Sequence, residues 1–249
     1  LRLVQVARDA GAIIMRHYAG TIDSRAKADQ SPVTAADEEA EEFILRRLQD
    51  IAPGTPVLAE ESAAAGRVPD LASGTFFLVD PLDGTREFLN RNGEFTVNIA
   101  LVASGAPVAG VVFAPARGRL FYGFGDSAWE QGADEASPRA IRTVAPTAGA
   151  VRAVASRSHR DPATDAFLAG HNVSQIVSAG SSLKFCLLAS GEADLYPRMG
   201  PTMEWDTAAG DAVLRAAGGR VTLEDGVTPL AYGKADTGFR NPNFIAWGR

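Results

Sequence analysis

The sequence of 249 residues contains a single cysteine, Cys186. One thiol excludes an intramolecular disulfide and suits a reducing cytoplasm. Set before Leu-Leu-Ala, Cys186 reads as a small buried hydrophobe rather than a nucleophile. No apolar run approaches the ~20 residues of a membrane-spanning helix. An excess of basic charge is missing too, because 24 Lys and Arg face 30 Asp and Glu, a net −6. That balance argues against a nucleic-acid polymer as partner, since phosphate backbones are held through surplus cations. A small phosphorylated compound stays open, because bound metal ions can supply positive charge locally. Internal repeats and low-complexity tracts are absent.

What is present is an ordinary globular composition, 46% apolar, in a chain long enough for one large domain or two closely packed halves. Leu1–Tyr18 has apolar residues at helical spacing interrupted by Arg2, Arg8, Asp9 and Arg16. It reads as an amphipathic surface helix, not a signal peptide. Ser31-Pro32-Val33-Thr34 opens a second helix over 35–49, with Asp37, Glu38 and Glu39 in its first turn, where acids suit the helix dipole. The runs 56–59 and 76–79 predict buried strands, each ending in acids: Glu60-Glu61 and Asp80. Segments 96–102, 107–113 and 119–124 predict an antiparallel meander. A Gly-, Ala-, Pro- and Ser-rich stretch over 122–150 marks a soft boundary. Beyond it, strands at 151–155, 173–177, 193–196, 220–222 and 243–246 alternate with helices at 161–169, 181–189 and 206–217. The expected fold class is therefore α/β, with an N-terminal half 1–145 and a C-terminal half 146–249.

The chemistry gathers at Asp80-Pro81-Leu82-Asp83-Gly84-Thr85. Four acids, Glu60, Glu61, Asp80 and Asp83, fall at the ends of predicted strands. Such acids repel one another and tend to hold protons unless a cation joins them. Oxygen donors without His or Cys point to Mg²⁺, Mn²⁺ or Ca²⁺ rather than zinc. Asp-Gly alone is a common turn. Here it follows a strand and precedes a predicted helix at Thr85-Arg86-Glu87-Phe88, whose free N–H groups suit a phosphate. Acids and cradle together describe metal-assisted phosphoryl transfer. Farther along, Asp206 in Glu204-Trp205-Asp206-Thr207 reads as a helix N-cap, a reading compatible with a further metal ligand.

The segments Ser31–Asp37, Glu60-Glu61, Asp80–Thr85 and Trp205–Gly210 resemble, in order, the signature of the inositol monophosphatase superfamily. The likeness is strongest to its 3′(2′),5′-bisphosphate nucleotidase branch of the CysQ type. It is carried by Asp80–Phe88, Asn92–Ala100, Ser156–His159, Gly180–Leu187, Leu195–Arg198 and Gly200–Thr202. The resemblance implies a five-layer αβαβα sandwich and two to three Mg²⁺ ions, with Mn²⁺ able to substitute. Glu60, Asp80 and the Leu82 carbonyl would hold one ion, and Asp80, Asp83 and Asp206 a second. Glu60 and waters near Asp37 would hold a looser third. Glu61, on the other face of its strand, would support these ligands from behind. Asp37 and Thr85 would orient the attacking water. Lithium inhibition is a trait of the superfamily.

For substrate recognition, the resemblance adds Gly84, Thr85, His159, Gly180, Ser181, Lys184, Arg198 and Asp206. By itself, Gly180–Lys184 can equally be an ordinary helix start. Cations such as Lys184 and Arg198 are more often solvated at the surface, so that only the resemblance lifts them to a second-phosphate role. His17 and His171 read as incidental, and Tyr196 and Trp205 as core or pocket wall. The implied reaction is removal of the 3′-phosphate from 3′-phosphoadenosine 5′-phosphate, with the 5′-phosphosulfate as a second substrate. An inositol or sugar phosphatase of the same fold is the alternative enzyme, and a metal- or phosphate-binding module the alternative without catalysis. The resemblance allows a monomer or a homodimer, in the cytoplasm or at the cytoplasmic face of the inner membrane.

Overall fold

The structure, a computed structural model, describes residues 2–22, 24–26, 32–146, 150–156 and 161–249. Its elements run in chain order as α1 (Arg2–Ala19), β1 (Ser24–Ala26), β2 (Pro32–Thr34), α2 (Ala35–Ile51), β3 (Val57–Ala59), α3 (Glu60–Ala64), β4 (Thr75–Asp83) and α4 (Thr85–Leu89). Then come β5 (Thr96–Ala103), β6 (Ala106–Ala114), β7 (Arg119–Phe124), β8 (Ser127–Gly132), β9 (Arg139–Ile141), β10 (Val151–Ser156), α5 (Pro162–Ala169) and β11 (Val173–Ala179). The last are α6 (Leu183–Ala189), β12 (Leu195–Arg198), β13 (Thr202–Met203), α7 (Ala208–Ala216), β14 (Arg220–Thr222), β15 (Arg240–Asn241) and β16 (Phe244–Trp247).

Two sheets dominate. The first is seven-stranded, β3 to β9 in sequence order, and the second is five-stranded in the order β11-β10-β12-β16-β14. Helices α1 and α2 pack on the outer face of the first sheet. Helices α6 and α7 fill the space between the sheets, and α5 covers the far side of the second. The result is the αβαβα sandwich that the resemblance implies.

Alternation along the strands explains why the first sheet is apolar on both faces. Phe77 and Val79 of β4 enter the core beneath α1 and α2, whereas Phe76 and Leu78 enter the core around α6 and α7. The pleat repeats every two residues, so Asp80 emerges on the same face as Phe76 and Leu78. It therefore faces the middle layer, where α6 and α7 begin. Two glycines let α7 approach that face closely. A Cβ on Gly110 of β6 would lie 2.4 Å from the Ala209 carbonyl oxygen, and one on Gly123 of β7 2.8 Å from the Ala216 Cβ. The start of α7, and Asp206 just before it, are thereby held over the first sheet.

Two further strands occupy the stretch that composition marked as a boundary. Strand β8 pairs with β7 from Phe124↔Ser127 to Arg119↔Gly132, and β9 adds to its other edge. Trp129 stacks on Tyr122 with ring centroids 5.2 Å apart, and Arg119 and Arg139 both bond the buried Glu130 carboxylate. These contacts outweigh the weak strand propensity of the Gly- and Ser-containing sequence. The core between the sheets draws Leu78 and Phe121 from one half and Phe185, Val213 and Phe244 from the other.

Replacing Gly110 with Ala forces α7 away from the sheet. Such overpacking costs about 1–3 kcal/mol, so Gly110→Ala should lower the melting temperature by several degrees in a thermal-unfolding scan. A shift within about 1 °C would mean that α7 has room to spare at this contact.

Candidate active site

Asp37 lies on α2, Glu60 and Glu61 on α3, and Asp80 and Asp83 on β4. Strand β3 ends at Ala59 and the chain turns at once into α3, so Glu60 and Glu61 lie in a helical first turn. This corrects the expectation that they project from opposite faces of a strand. The cause is Glu41, a buried acid on the inner face of α2, which accepts the N–H groups of Glu61 and Ser62 and the Ser62 hydroxyl, each at 2.7 Å. Burial raises the Glu41 carboxyl above its ordinary range. Glu60 lines the main cavity and Glu61 does not.

After Asp80, the regular pairing of β4 with β5 is broken between Asp80 and Asp83. The Asp80 carboxylate accepts the Leu82 N–H at 3.0 Å, which folds the Pro81-Leu82 segment back over it. Gly84 then takes a left-handed conformation (φ 94°), and a Cβ there would stand 2.3 Å from the Ser181 hydroxyl. Only glycine meets both conditions. Thr85 begins α4, and its hydroxyl donates to Asp37 Oδ1 at 3.2 Å and lies 3.4 Å from the Leu82 carbonyl. Asp37 Oδ2 accepts the Thr34 N–H and hydroxyl at 2.8 and 2.6 Å, a reciprocal capping box on α2. Asp37 therefore caps α2 with one oxygen and meets the Thr85 hydroxyl with the other.

Asp206 comes from the other half. Its carboxylate accepts the Met203 N–H at 2.8 Å, while the N-cap of α7 is Thr207. The N-cap reading of Asp206 is thus corrected, because the tight 203–206 turn points its carboxylate back along the chain instead of over the helix end. The segment expected to open a helix at Gly180 is likewise a turn, with α6 starting at Leu183. Ser181 is left-handed (φ 52°). Gly180 donates its N–H to Glu94 at 2.9 Å, and a Cβ on it would meet the Glu94 carbonyl at 2.7 Å. Its contribution is close packing, with the N–H already engaged.

Glu60, Asp80, Asp83, Thr85, Lys184, Arg198 and Asp206 all line one cavity of about 600 Å³ between the two halves. Burial first, then the charges of Glu60, Asp83 and Asp206, hold the Asp80 carboxyl well above the carboxylate range. Burial and the charges of Asp83 and Glu60 do the same to Asp206. Burial also raises Asp83, against the pull of Lys184 and of donors from Ser182 and Asn98. Among the described residues, no three acids, His or Cys already stand around a single point as a finished metal site. The donors are nevertheless all oxygens, and the charges of neighbouring acids push Asp80 and Asp206 up, which is the mismatch a divalent cation relieves.

The two cations are not surface residues. Lys184 is 5% exposed and Arg198 8%. The Lys184 ammonium donates to the Ser181 carbonyl at 2.6 Å and stands 5.2 Å from the Tyr196 ring centroid, and burial lowers its pKa to about 8. Arg198 donates one N–H to the Pro201 carbonyl at 3.0 Å, and its buried Nε has no partner among the described residues. Ser31 and His159 lie outside the described residues. Sequence reasoning missed Glu41 and gave no role to Asn98 and Ser182, although both lie in segments that carry the resemblance. An acid on the buried face of α2, in step with Ile44 and Leu48, was the one readable signal among them.

An inositol monophosphatase family model matches residues 2–243. The chain belongs to the inositol monophosphatase family, and so is a hydrolase of small phosphorylated compounds. It is 45% identical over 245 residues to the 3′(2′),5′-bisphosphate nucleotidase CysQ of Escherichia coli K12, covering 98% of this chain and 97% of that protein. Among solved structures it resembles CysQ from Bacteroides thetaiotaomicron, with TM-score 0.80, 42% identity, and coverage of 98% and 95% of the two chains. It also resembles an inositol monophosphatase from Anabaena, with TM-score 0.76, 28% identity, and coverage of 98% and 88%.

The raised carboxyls give a signed pH prediction. An acid whose folded pKa lies above its unfolded value is neutral and harmless at low pH, and its burial penalty grows as pH rises through the interval between the two. In excess chelator, Asp80→Asn should melt close to wild type near pH 4, about the unperturbed Asp value, and increasingly above it toward neutrality. Added Mg²⁺ should then stabilise wild type more than the variant. A pH-independent difference in melting temperature would show that Asp80 carries no such penalty.

Proposed function

We propose that this chain hydrolyses the 3′-phosphate of 3′-phosphoadenosine 5′-phosphate to AMP and inorganic phosphate, with Mg²⁺ as cofactor and lithium as inhibitor. The 5′-phosphosulfate analogue is a second substrate on this reading. The observation that carries it is the pairing of an acidic cluster with two buried cations in one cavity. Lys184 and Arg198 are buried, and Arg198 Nε lacks a partner among the described residues. A second anionic group on the substrate would satisfy both. A cavity of about 600 Å³ is also in the range that encloses a nucleotide-sized ligand.

Glu60, Asp80, the Leu82 carbonyl, Asp83 and Asp206 would hold the ions, with Mn²⁺ able to replace Mg²⁺. When bound, the metal neutralises phosphate oxygens and lowers the pKa of a water. The chain supplies the rest. Thr85 donates its hydroxyl proton to Asp37 Oδ1, so its oxygen is free to accept a proton from the attacking water. Asp37 is fixed by Thr34 and buried, so that relay does not lose its orientation. Arg198 and Lys184 bind the 5′-phosphate and orient the 3′-phosphate toward the acids.

The test is a phosphate-release panel with the bisphosphorylated nucleotide, inositol 1-phosphate and fructose 1,6-bisphosphate, each with Mg²⁺ and with added Li⁺. The nucleotide should turn over far faster than the others, and chelator should abolish turnover. A preference for inositol 1-phosphate would move the assignment to an inositol phosphatase, and turnover in excess chelator would overturn the mechanism. Thr85→Ala should lower kcat by roughly 10²- to 10⁴-fold, the usual weight of positioned proton transfer.

The cations can be tested separately. A charged hydrogen bond is worth about 1.5–3 kcal/mol, so Arg198→Gln should raise KM for the bisphosphorylated nucleotide by roughly tenfold or more. Because the Lys184 ammonium loses its proton as pH rises through about 8, wild-type KM for the nucleotide should climb above that pH. Lys184→Arg should flatten the climb in a pH series. Equal effects of Arg198→Gln on nucleotide and inositol 1-phosphate would remove Arg198 from the second-phosphate role.

A further inference from the structure

Two buried polar side chains with no role in the reaction described above join acids that come from different halves of the chain. Ser182, in the turn before α6, is 1% exposed, and Asn98 on β5 is fully buried. Ser182 donates its N–H to Asp83 Oδ2 at 2.7 Å and its hydroxyl to the Asp206 carbonyl at 2.6 Å. Asn98 Nδ2 donates to that same Ser182 hydroxyl oxygen at 2.9 Å and to Asp83 Oδ2 at 3.3 Å. Asn98, Ser182 and Asp83 thus close a triangle, and the Ser182 hydroxyl extends it to the backbone of Asp206. The Asp83 carbonyl is engaged as well, by the Ser181 hydroxyl at 2.7 Å.

Three features argue that this arrangement serves the site. First, the contacts span the fold: Asn98 lies opposite Asp80 in the β4–β5 register, whereas Asp206 precedes α7. The seating of α7 on the sheet brings Asp206 near, and the Ser182 bridge ties its backbone directly to the Asp83 carboxylate. Second, the donors from Ser182 and Asn98 converge on Oδ2 of Asp83, which leaves Oδ1 to a ligand and fixes the carboxylate plane. Third, Asn98 carries a liability. Its Oδ1 is buried without a partner among the described residues, which costs stability that an apolar side chain of the same shape would not. What Nδ2 does for Asp83 and Ser182 accounts for an amide at this position, where core packing does not.

We infer that Ser182 and Asn98 are positioning residues that hold Asp83 and Asp206 in register across the two halves, and so set the affinity of the cavity for divalent cations. The inference rests on the metal-dependent reading proposed above. Residues that orient metal ligands typically change metal affinity by 10- to 100-fold when removed.

The experiment is Mn²⁺ binding to the substrate-free protein, followed by the electron paramagnetic resonance signal of free Mn²⁺. Wild type, Ser182→Ala and the nearly isosteric Asn98→Leu are compared, with far-ultraviolet circular dichroism and metal-free unfolding confirming that each is folded. Both variants should bind Mn²⁺ about tenfold or more weakly, and their phosphate release should recover as Mn²⁺ is raised. A purely structural role would lower the melting temperature and leave the binding curve where it was. Affinity within about twofold of wild type in a folded variant, well short of the expected change, overturns the inference. Should Ser182→Ala not fold, Asn98→Leu decides, since it removes two sides of the triangle and leaves the Ser182 bonds to Asp83 and Asp206 in place. Absence of Mn²⁺ binding to wild type itself would instead overturn the metal-dependent reading.

Discussion

Mutual repulsion among Glu60, Asp80, Asp83 and Asp206 is the constraint around which the rest of the molecule is arranged. Each of these acids would be unremarkable at a surface. In one cavity the charges of Glu60, Asp83 and Asp206 disfavour a charged Asp80, and those of Asp83 and Glu60 a charged Asp206. Asp80 and Asp206 are accordingly pushed well up, with burial the leading cause in both. A chain selected for stability alone would disperse them. Here the surrounding elements keep them together, by capping the short helix that bears Glu60, by folding Leu82 back on Asp80 and by closing Ser182 over Asp83.

The supporting contacts follow one pattern: buried acids that do not line the cavity satisfy backbone N–H groups near those that do. Glu41 takes the N–H groups at the start of α3. Glu94 takes the N–H of Gly180. Glu204, fully buried next to Trp205-Asp206, takes the N–H groups of Gly233 and Lys234 at 2.6 and 2.8 Å and pairs with the Lys234 ammonium at 2.7 Å. Asn241 completes this corner by donating to the Met203 carbonyl and the Thr207 hydroxyl. The site acids are thus held through loops whose own hydrogen bonds are satisfied, which limits the freedom of the charged side chains.

Strands β3 to β7 of the first sheet were legible because their runs are largely apolar and both faces are covered. The Asp80–Thr85 segment was legible because its residue types serve local geometry and chemistry at once. Glu60 and Glu61 were misplaced onto a strand end because the cause of the helix there, Glu41, lies 20 residues upstream and acts only through the packed fold. Asp206 has the local sequence of an N-cap, and its true partner, the Met203 N–H, becomes available only through the 203–206 turn. Strands β8 and β9 were hidden by composition that favours turns, and their pairing with β7 prevailed through Glu130 and Trp129. Lys184 and Arg198 read as solvated because charge predicts exposure on average. Their burial follows from the closure of the second half over the first, which no local pattern encodes.

Helices α6 and α7 belong to the second half of the chain by sequence, yet Gly110 and Gly123 seat α7 directly on the first sheet. With the middle layer shared, neither sheet can be stripped away without exposing the core of the other. The two halves therefore share one core, and a ligand that binds between them stabilises both by mass action. Occupancy of the cavity would consequently be felt as slower amide hydrogen exchange throughout both sheets, including strands far from any acid, instead of as ordering confined to its rim.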